Sequence, residues 1–127
     1  MIGKLFGFSL VLLVFIMLYS CQREDKKSFD ETLLIGKWVE GTEYYKYEAN
    51  HTGGYWDISD GYYEEDALPF TWLLERSKLS LIHIGSVDGG GGIAAPENFT
   101  VTELTRATLK VIDDLDNRRR TFTKVIP

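Results

Sequence analysis

The chain has 127 residues and a formal net charge of −5, a size that suits one domain and a charge balance that excludes some partners. Nucleic acids and anionic membrane surfaces are bound through faces rich in Lys and Arg. We therefore expect no binding to nucleic acid and no docking to a membrane by charge alone.

The N-terminal residues predict an export signal. Residues 1–4 carry one positive charge, residues 5–18 are almost wholly apolar, and Tyr19-Ser20-Cys21 closes the run. This apolar segment is shorter than the roughly 20 residues that a membrane-spanning helix needs, and it has the length of a secretory signal core. We predict a signal peptide over residues 1–20.

Cys21 is the single cysteine of the chain and directly follows the apolar segment. One cysteine cannot form a disulfide within the chain. Its position after Ser20 resembles the lipobox of bacterial lipoproteins, whose cysteine receives a diacylglycerol on its thiol and, after cleavage, an acyl chain on its new amine. The resemblance implies a covalent lipid anchor at Cys21 that holds the protein on a membrane. An uncleaved signal anchor and a buried free thiol are the alternatives.

Residues 21–32 are predicted to form a flexible polar tether. They contain one aromatic residue among polar and charged ones, which is too little apolar surface to drive folding. The triplet Arg23-Glu24-Asp25 resembles the export signal that carries Bacteroidetes lipoproteins to the outer face of the outer membrane; an ordinary solvated linker is the alternative. We expect the protein at the outer membrane of a Gram-negative bacterium, on its periplasmic or surface-exposed face.

From Leu33 onward the sequence alternates in hydrophobicity and places a turn signal about every ten residues, which is typical of an all-β meander. Eight short antiparallel strands hide their two sheet edges when they close into a barrel. We therefore predict an all-β fold over residues 33–127, a small antiparallel up-and-down β-barrel of about eight strands. The predicted strands cover residues 33–40, 43–49, 54–58, 68–75, 78–84, 99–104, 108–112 and 119–126.

Short motifs in this domain resemble lipocalins. Gly36-Lys37-Trp38 is similar to the lipocalin Gly-x-Trp motif at the start of the first strand. Segments similar to the short lipocalin-like lipoprotein domains of Bacteroidetes occur at residues 44–47, 52–53, 69–72, 104–105, 108–109 and 121–125. The resemblance implies a lipocalin-like barrel, in a family whose members mostly have no defined activity. It also implies a structural motif of Gly36, Trp38 and a basic residue of the closing strand packed over the Trp, either Lys124 or Arg120.

Aromatic residues dominate the positions that we predict to face inward. In a large lipocalin such residues line a ligand cavity, whereas in a barrel of about 95 residues they can simply fill the interior. Both interpretations stay open from the sequence. Besides Trp38, the inward aromatics, which are also the candidate ligand-pocket residues, are Tyr45, Tyr47, Phe70, Trp72, Phe99 and Phe122.

No cluster of residues predicts a reaction or a metal site. His51 and His83 are the only histidines, whereas zinc takes three or four nitrogen or sulfur ligands. No serine lies in a Gly-x-Ser-x-Gly turn, and Gly89–Gly92 lack the following Lys of a phosphate loop. The acidic residues between positions 57 and 66 match no calcium loop and indicate a solvated segment. We predict no enzyme, no metal and no cofactor beyond the lipid on Cys21.

Two surface features complete the sequence-based expectations. The three arginines at positions 118–120 stand beside three aspartates, and we expect them to pair locally across the turn at Asp113, Asp114 and Asp116. Four tyrosines are predicted on outer faces or in loops, where they can form a contact surface for protein or sugar. They are Tyr44, Tyr55, Tyr62 and Tyr63.

Two hypotheses of function follow. In the first, a lipid-anchored lipocalin-like barrel binds a small apolar or amphipathic molecule, which Lys124 or Tyr45 orients. In the second, a filled barrel is an interaction module that contacts an envelope protein, a target enzyme or a glycan. Its contact surface is then the glycine-rich loop at residues 86–98 or the tyrosine-rich region at residues 57–66. An internal void favours the first hypothesis, and a packed interior favours the second.

Overall fold

The computed structural model describes residues 27–84 and 96–127. The predicted signal peptide, Cys21, the first part of the tether and residues 85–95 of the glycine-rich loop lie outside the described residues. Within the described residues, no helix has the length and apolar character needed to cross a membrane.

The described residues form a closed barrel of eight antiparallel strands. Each strand pairs with the next one along the chain, and the first pairs with the last. The all-β, up-and-down, lipocalin-like barrel predicted from the sequence is therefore confirmed. The strands are β1 (Gly36–Glu40), β2 (Glu43–Tyr47), β3 (Thr52–Asp57), β4 (Leu68–Glu75), β5 (Lys78–His83), β6 (Glu97–Leu104), β7 (Thr108–Asp113) and β8 (Arg119–Lys124).

The alternation of side chains along each strand produces the barrel core. On β4, the buried residues Phe70, Trp72 and Leu74 alternate with residues that are more exposed, because successive side chains of a strand point to opposite faces. The strand register carries this alternation around the barrel. Trp38 lies opposite Tyr45, and Tyr45 lies opposite Tyr55, so all three side chains point inward.

The up-and-down topology gives the barrel two different ends. The connections after β1, β3, β5 and β7 lie at one end, which we call the polar end. The connections after β2, β4 and β6 lie at the other, together with the start of β1 and the end of β8. We call this second end the Trp38 end. The described chain therefore enters and leaves the barrel at the Trp38 end.

All strands except β4 differ from their predicted bounds by one to three residues, and β1 and β3 show the reasons. Residues 33–35, predicted as strand, precede β1, and Glu31–Leu33 form a 3₁₀ turn. The Asp30 side chain caps this turn by accepting a hydrogen bond from Thr32 N at 3.0 Å. β3 begins at Thr52, two residues before its predicted start, because its pairing with β2 continues to Gly53 opposite Tyr47.

Candidate functional site

The six predicted ligand-pocket aromatics lie in the barrel core. Each is 4% exposed or less, and all six belong to one cluster of buried side chains. Five surface pockets formed by the described residues are lined by none of them. Their inward orientation agrees with the sequence-based expectation, while their role as a ligand pocket stays a prediction.

These aromatic rings pack on one another. The ring centroid of Tyr45 lies 5.4 Å from that of Phe122 and 6.3 Å from that of Phe70. The Tyr47 ring meets the Trp72 ring edge to face at 5.7 Å, which is a favoured aromatic geometry. Gly53 lies so close to Phe70 that a Cβ atom there would stand 2.5 Å from the Phe70 ring. The rings therefore occupy the interior volume that a ligand would need.

The Trp38 end is closed by the residues of the Gly-x-Trp motif. Trp38 is completely buried, and its indole Nε1 donates a hydrogen bond to the carbonyl oxygen of Leu34 at 2.8 Å. Lys124 Nζ lies 4.5 Å from the centroid of the Trp38 ring. It also donates to the carbonyl oxygens of Leu33 at 3.2 Å and Ile35 at 2.5 Å. Of the two basic residues that the sequence left open, Lys124 is the one that covers Trp38.

The position of Lys124 explains why glycine occupies position 36. Gly36 has a φ of 129°, and a Cβ atom there would lie 2.5 Å from Lys124 Cε. Burial lowers the pKa of Lys124, as expected for an ammonium removed from water. These contacts connect the 3₁₀ turn to β8, so the residues at this end have a structural role: they close the barrel.

The polar end contains a buried ion-pair network centred on Arg120. Arg120 is 4% exposed. Its Nε donates to Glu40 at 2.7 Å and its Nη2 to Glu43 at 2.8 Å, while Nη1 reaches the Tyr45 hydroxyl at 3.4 Å. Tyr55 donates its hydroxyl proton to the other oxygen of Glu43 at 3.0 Å. The guanidinium is thus enclosed by two carboxylates and a phenol.

Two sequence-based expectations are wrong at this end. Arg120 does not pair with the aspartates of the neighbouring turn, because it lies on the same face of β8 as the buried Phe122 and points into the barrel. Tyr55 is not an outward residue, because it pairs with Tyr45 across β2 and β3. The two rings lie 4.9 Å apart. Burial, reinforced by the charge of Glu97, raises the pKa of Tyr45 to about 12.

The two histidines are engaged in separate hydrogen bonds. His83 faces the interior at the polar end, and a 2.5 Å hydrogen bond joins its Nε2 to Glu97. His51 lies near the Trp38 end, where its Nε2 is 3.2 Å from Glu31 Oε2. The centroid of its ring lies 4.6 Å from that of the Trp72 ring. Among the described residues, no group of three or more His, Cys, Asp or Glu side chains is arranged to hold a metal ion.

A cleft opens at the rim of the polar end, between β3, the start of β4 and the connection between them. We call it the rim cleft. Its volume is about 170 Å³. Its lining residues are Tyr55, Trp56, Asp57, Asp60, Tyr62, Asp66 and Leu68.

Trp56 forms the inner wall of the rim cleft, although it points away from the barrel core. It is 5% exposed, because the connection at residues 58–67 folds back over it. Its ring stacks on that of Tyr44 at 5.3 Å with an interplanar angle of 5°. Ion pairs from Lys37 and Lys46 to Glu64 hold the connection against the outer wall of the barrel. The acidic segment predicted to be solvated forms this cover, and its residues Asp60, Glu64, Glu65 and Asp66 are exposed.

Local hydrogen bonds shape the connection into two 3₁₀ turns, Ile58–Asp60 and Glu64–Asp66. Asp57 caps the first turn by accepting from Ser59 N at 2.9 Å, and Asp66 accepts from Tyr63 N at 3.2 Å. Tyr62 and Tyr63 remain 54% and 56% exposed on the surface of this cover. As predicted, both lie in a loop, and Tyr62 contributes to the cleft.

Sequence reasoning missed Trp56 and the pairing partners of Arg120. The signal for Trp56 was a tryptophan directly before a segment rich in Tyr and acidic residues. Cys21 and most of the glycine-rich loop lie outside the described residues, so the structure assigns them no neighbours. No family model, no curated protein and no solved structure matches the chain.

Proposed function

We propose that this chain is a lipid-anchored lipoprotein of a Gram-negative cell envelope, whose filled barrel is an interaction module. The rim cleft and the exposed tyrosines beside it form its contact surface. The observation that carries the proposal is the burial of the six candidate pocket aromatics in one core cluster, which leaves the aromatic cleft outside the barrel as the place for contact.

A filled interior opposes the hypothesis of an internal ligand. Protein interiors are packed as densely as organic crystals, so a ligand can enter only where side chains leave a void or move together. Phe70 packs against Tyr45, Tyr47 and the backbone of Gly53. Binding inside the barrel would therefore break several ring contacts at once.

A closed barrel also restricts how a partner can bind. Every strand is paired on both sides, so a partner cannot add a strand to a free edge. Contact must involve side chains on the outer wall or at the ends. Tyr and Trp are enriched at protein interfaces because they bury a large apolar surface and retain a polar group. Both residue types line the rim cleft, the exposed Tyr62 at its surface and the largely buried Trp56 at its inner wall.

The point at which the chain enters the barrel supports this division of roles. The described chain enters the barrel at the Trp38 end, where Phe29 N donates to the carbonyl oxygen of Arg76 in the β4–β5 turn at 3.3 Å. A tether from Cys21 would therefore attach at the end opposite the rim cleft. This attachment leaves the cleft free to contact a partner.

The first test asks whether the barrel carries a ligand. All strand pairs lie within residues 36–124, so residues 22–127 should fold without the anchor, which circular dichroism can verify. This segment is isolated from the periplasm of its own host and weighed by native mass spectrometry. The interaction-module proposal predicts the mass of the bare chain. Excess mass that organic extraction removes would instead support an internal ligand.

The second test asks whether the rim cleft contacts a partner in the cell. A photo-crosslinking amino acid replaces Tyr62 in the full chain, and the same amino acid at the exposed Ile126 of the Trp38 end is the matched control. We expect a discrete crosslinked species from position 62 that is absent from position 126. Identical products from both positions, or none from position 62, would contradict the proposed contact surface.

A further inference from the structure

We infer that the rim cleft binds a lysine side chain of the partner protein, with the alkyl stem along its aromatic wall and the ammonium group at its aspartates. This inference rests on the proposed function and specifies the chemistry of the same site.

The size of the cleft favours a single side chain over a whole small-molecule ligand. Its volume of about 170 Å³ is below the roughly 300 Å³ at which typical ligand pockets begin. Its walls are mostly apolar and come from Tyr55, Trp56, Tyr62 and Leu68. A four-carbon lysine stem matches such a wall, since lysine side chains readily lie along apolar surface while the charged group stays near water.

The charge of the cleft selects a cation as the occupant. Asp57, Asp60 and Asp66 line it, and no Lys, Arg or His is among its described lining residues. The chain from residue 52 to residue 75 contains six acidic and no basic residues. Hydrogen bonds from Ser59 help hold the pKa of Asp57 below its usual value, so this carboxylate is ionised at neutral pH. Negative potential concentrated in a cleft attracts a cationic group.

The protein already binds one of its own lysines in this manner. Lys37 Nζ lies 5.6 Å from the centroid of the Trp56 ring, and its ammonium group pairs with Glu64 on the covering connection. Trp56 and an acidic residue of the same connection thus form a site for an alkylammonium group. The rim cleft repeats the combination of Trp56 with carboxylates of this connection, with no lysine of the described chain in its lining.

Lysine fits this site better than arginine. The ammonium group is a compact point charge on a flexible stem, whereas the guanidinium is a planar fork that prefers bidentate carboxylates. Asp57 and Asp66 each use an oxygen for a backbone amide, which leaves fewer free acceptor sites for a bidentate fork at these two carboxylates. A compact ammonium group needs only one free oxygen from each carboxylate.

The probe for this inference is Nα-acetyl-lysine methylamide, which carries the side chain without a partner protein. Its Nε-acetylated form, which has nearly the same stem without the charge, and the arginine analogue are the controls. Residues 22–127 labelled with ¹⁵N give one indole signal for each of three tryptophans. We expect the Trp56 signal to shift in a saturable manner at constant ionic strength. Trp38 and Trp72 donate to backbone carbonyls inside the barrel, and their signals should stay in place.

Matched variants locate the binding. Tyr62→Ala removes a cleft wall, and Tyr63→Ala removes the neighbouring tyrosine of equal exposure that does not line the cleft. Asp60→Asn removes a cleft carboxylate, and Glu75→Gln removes an exposed one at the Trp38 end. Exposed charge and cation–π contacts are each worth a few-fold in affinity. We expect about five-fold weaker binding for Tyr62→Ala and Asp60→Asn, and no change for the two controls.

The outcomes separate this inference from the proposed function. Equal binding of the charged probe and its Nε-acetylated form, equal binding of the arginine analogue, or equal loss in both tyrosine variants would overturn the lysine site. If crosslinking from position 62 nevertheless yields a partner, the interaction module stands with a different contact chemistry. If the probe binds as expected but no partner crosslinks, the lysine site stands and the proposed function fails.

Discussion

Replacing Arg120 with leucine should be one of the most destabilising single changes at the polar end. The leucine keeps apolar volume beside Phe122, whose ring lies 4.8 Å from the guanidinium carbon, but it removes the cation between Glu40 and Glu43. Breaking a buried ion pair from one side costs about 3–5 kcal/mol, because the remaining charge stays unpaired. The side chains of Glu40 and Glu43 are 30% and 33% exposed, so water compensates in part. We expect a loss of about 2–3 kcal/mol in the free energy of unfolding.

Urea unfolding at pH 7 measures this loss, and Arg119→Leu is the matched control. Arg119 precedes Arg120 in the same charge run but is exposed, and exposed changes of this kind alter stability by less than about 0.5 kcal/mol. For a domain of this size, the loss at Arg120 should lower Tm by roughly 10–20 °C. In a double-mutant cycle, Glu43→Gln should reduce the cost of Arg120→Leu. Equal unfolding free energies for the two arginine variants would refute the buried network.

Three further predictions follow from the geometry. Gly36→Ala should lower the free energy of unfolding by about 2 kcal/mol or more, because Gly36 has a φ of 129° and lies against Lys124. Gly41→Ala is the control and should lower it by about 1 kcal/mol, because Gly41 has a φ of 60° and open space around it. Equal unfolding free energies for the two variants would contradict this prediction. Between pH 10 and pH 12 the folded protein keeps the Tyr45 proton that the unfolded chain releases. The free energy of unfolding should therefore fall with rising pH, by at most about 1.4 kcal/mol per unit from this group, and unfolding of Tyr45→Phe should show a shallower slope. Cys21→Ala should abolish lipid labelling and membrane association in cell fractions; membrane association without label would indicate an uncleaved signal anchor.

The barrel could be predicted from the sequence because alternating apolar residues indicate strands with one buried face. Short strands of this kind bury that face and pair their edges when they close into a barrel. β4 has the bounds predicted for it, Leu68–Glu75, since large apolar residues recur at every second position from Phe70 to Leu74. The period of two therefore identified Phe70 and Trp72 as inward-facing before any strand pairing was known, whereas it left open whether they fill the barrel or line a cavity.

The partners of Arg120 could not be predicted in this way. Glu40 and Glu43 lie 80 and 77 residues away along the chain, whereas the aspartates of the neighbouring turn are close in sequence. Only the closure of β8 onto β1 brings the two carboxylates to the guanidinium. Local charge pattern favours local pairs, and it carries no information on the register with which the barrel closes.

Trp56 shows a second limit of the same kind. Tyr55 is predicted from the sequence to lie on the outside, whereas it faces inward opposite Tyr45. Its neighbour Trp56 therefore faces outward, where a residue is normally exposed. Trp56 is buried because the β3–β4 connection turns back on the wall, and that path depends on ion pairs between Glu64 and the lysines of β1 and β2. The ten residues of this connection cover Trp56, and the rim cleft lies where the connection and the barrel wall meet. The rim cleft thus arises from a tertiary contact between charges that no strand period encodes.

Because the number of strands is even, both termini of the barrel lie at the same end. The two ends can therefore have different roles. With eight strands in up-and-down order, the chain must enter and leave at the same end, and that end is sealed by Trp38, Lys124 and the 3₁₀ turn. A strand of six residues spans roughly 20 Å, so the opposite end stands about that far from the tether. The four connections at the opposite end, including the one that forms the rim cleft, can vary without disturbing the seal or the predicted anchor. A contact surface is therefore best built at the polar end, which is where Trp56, Tyr62 and the acidic residues lie.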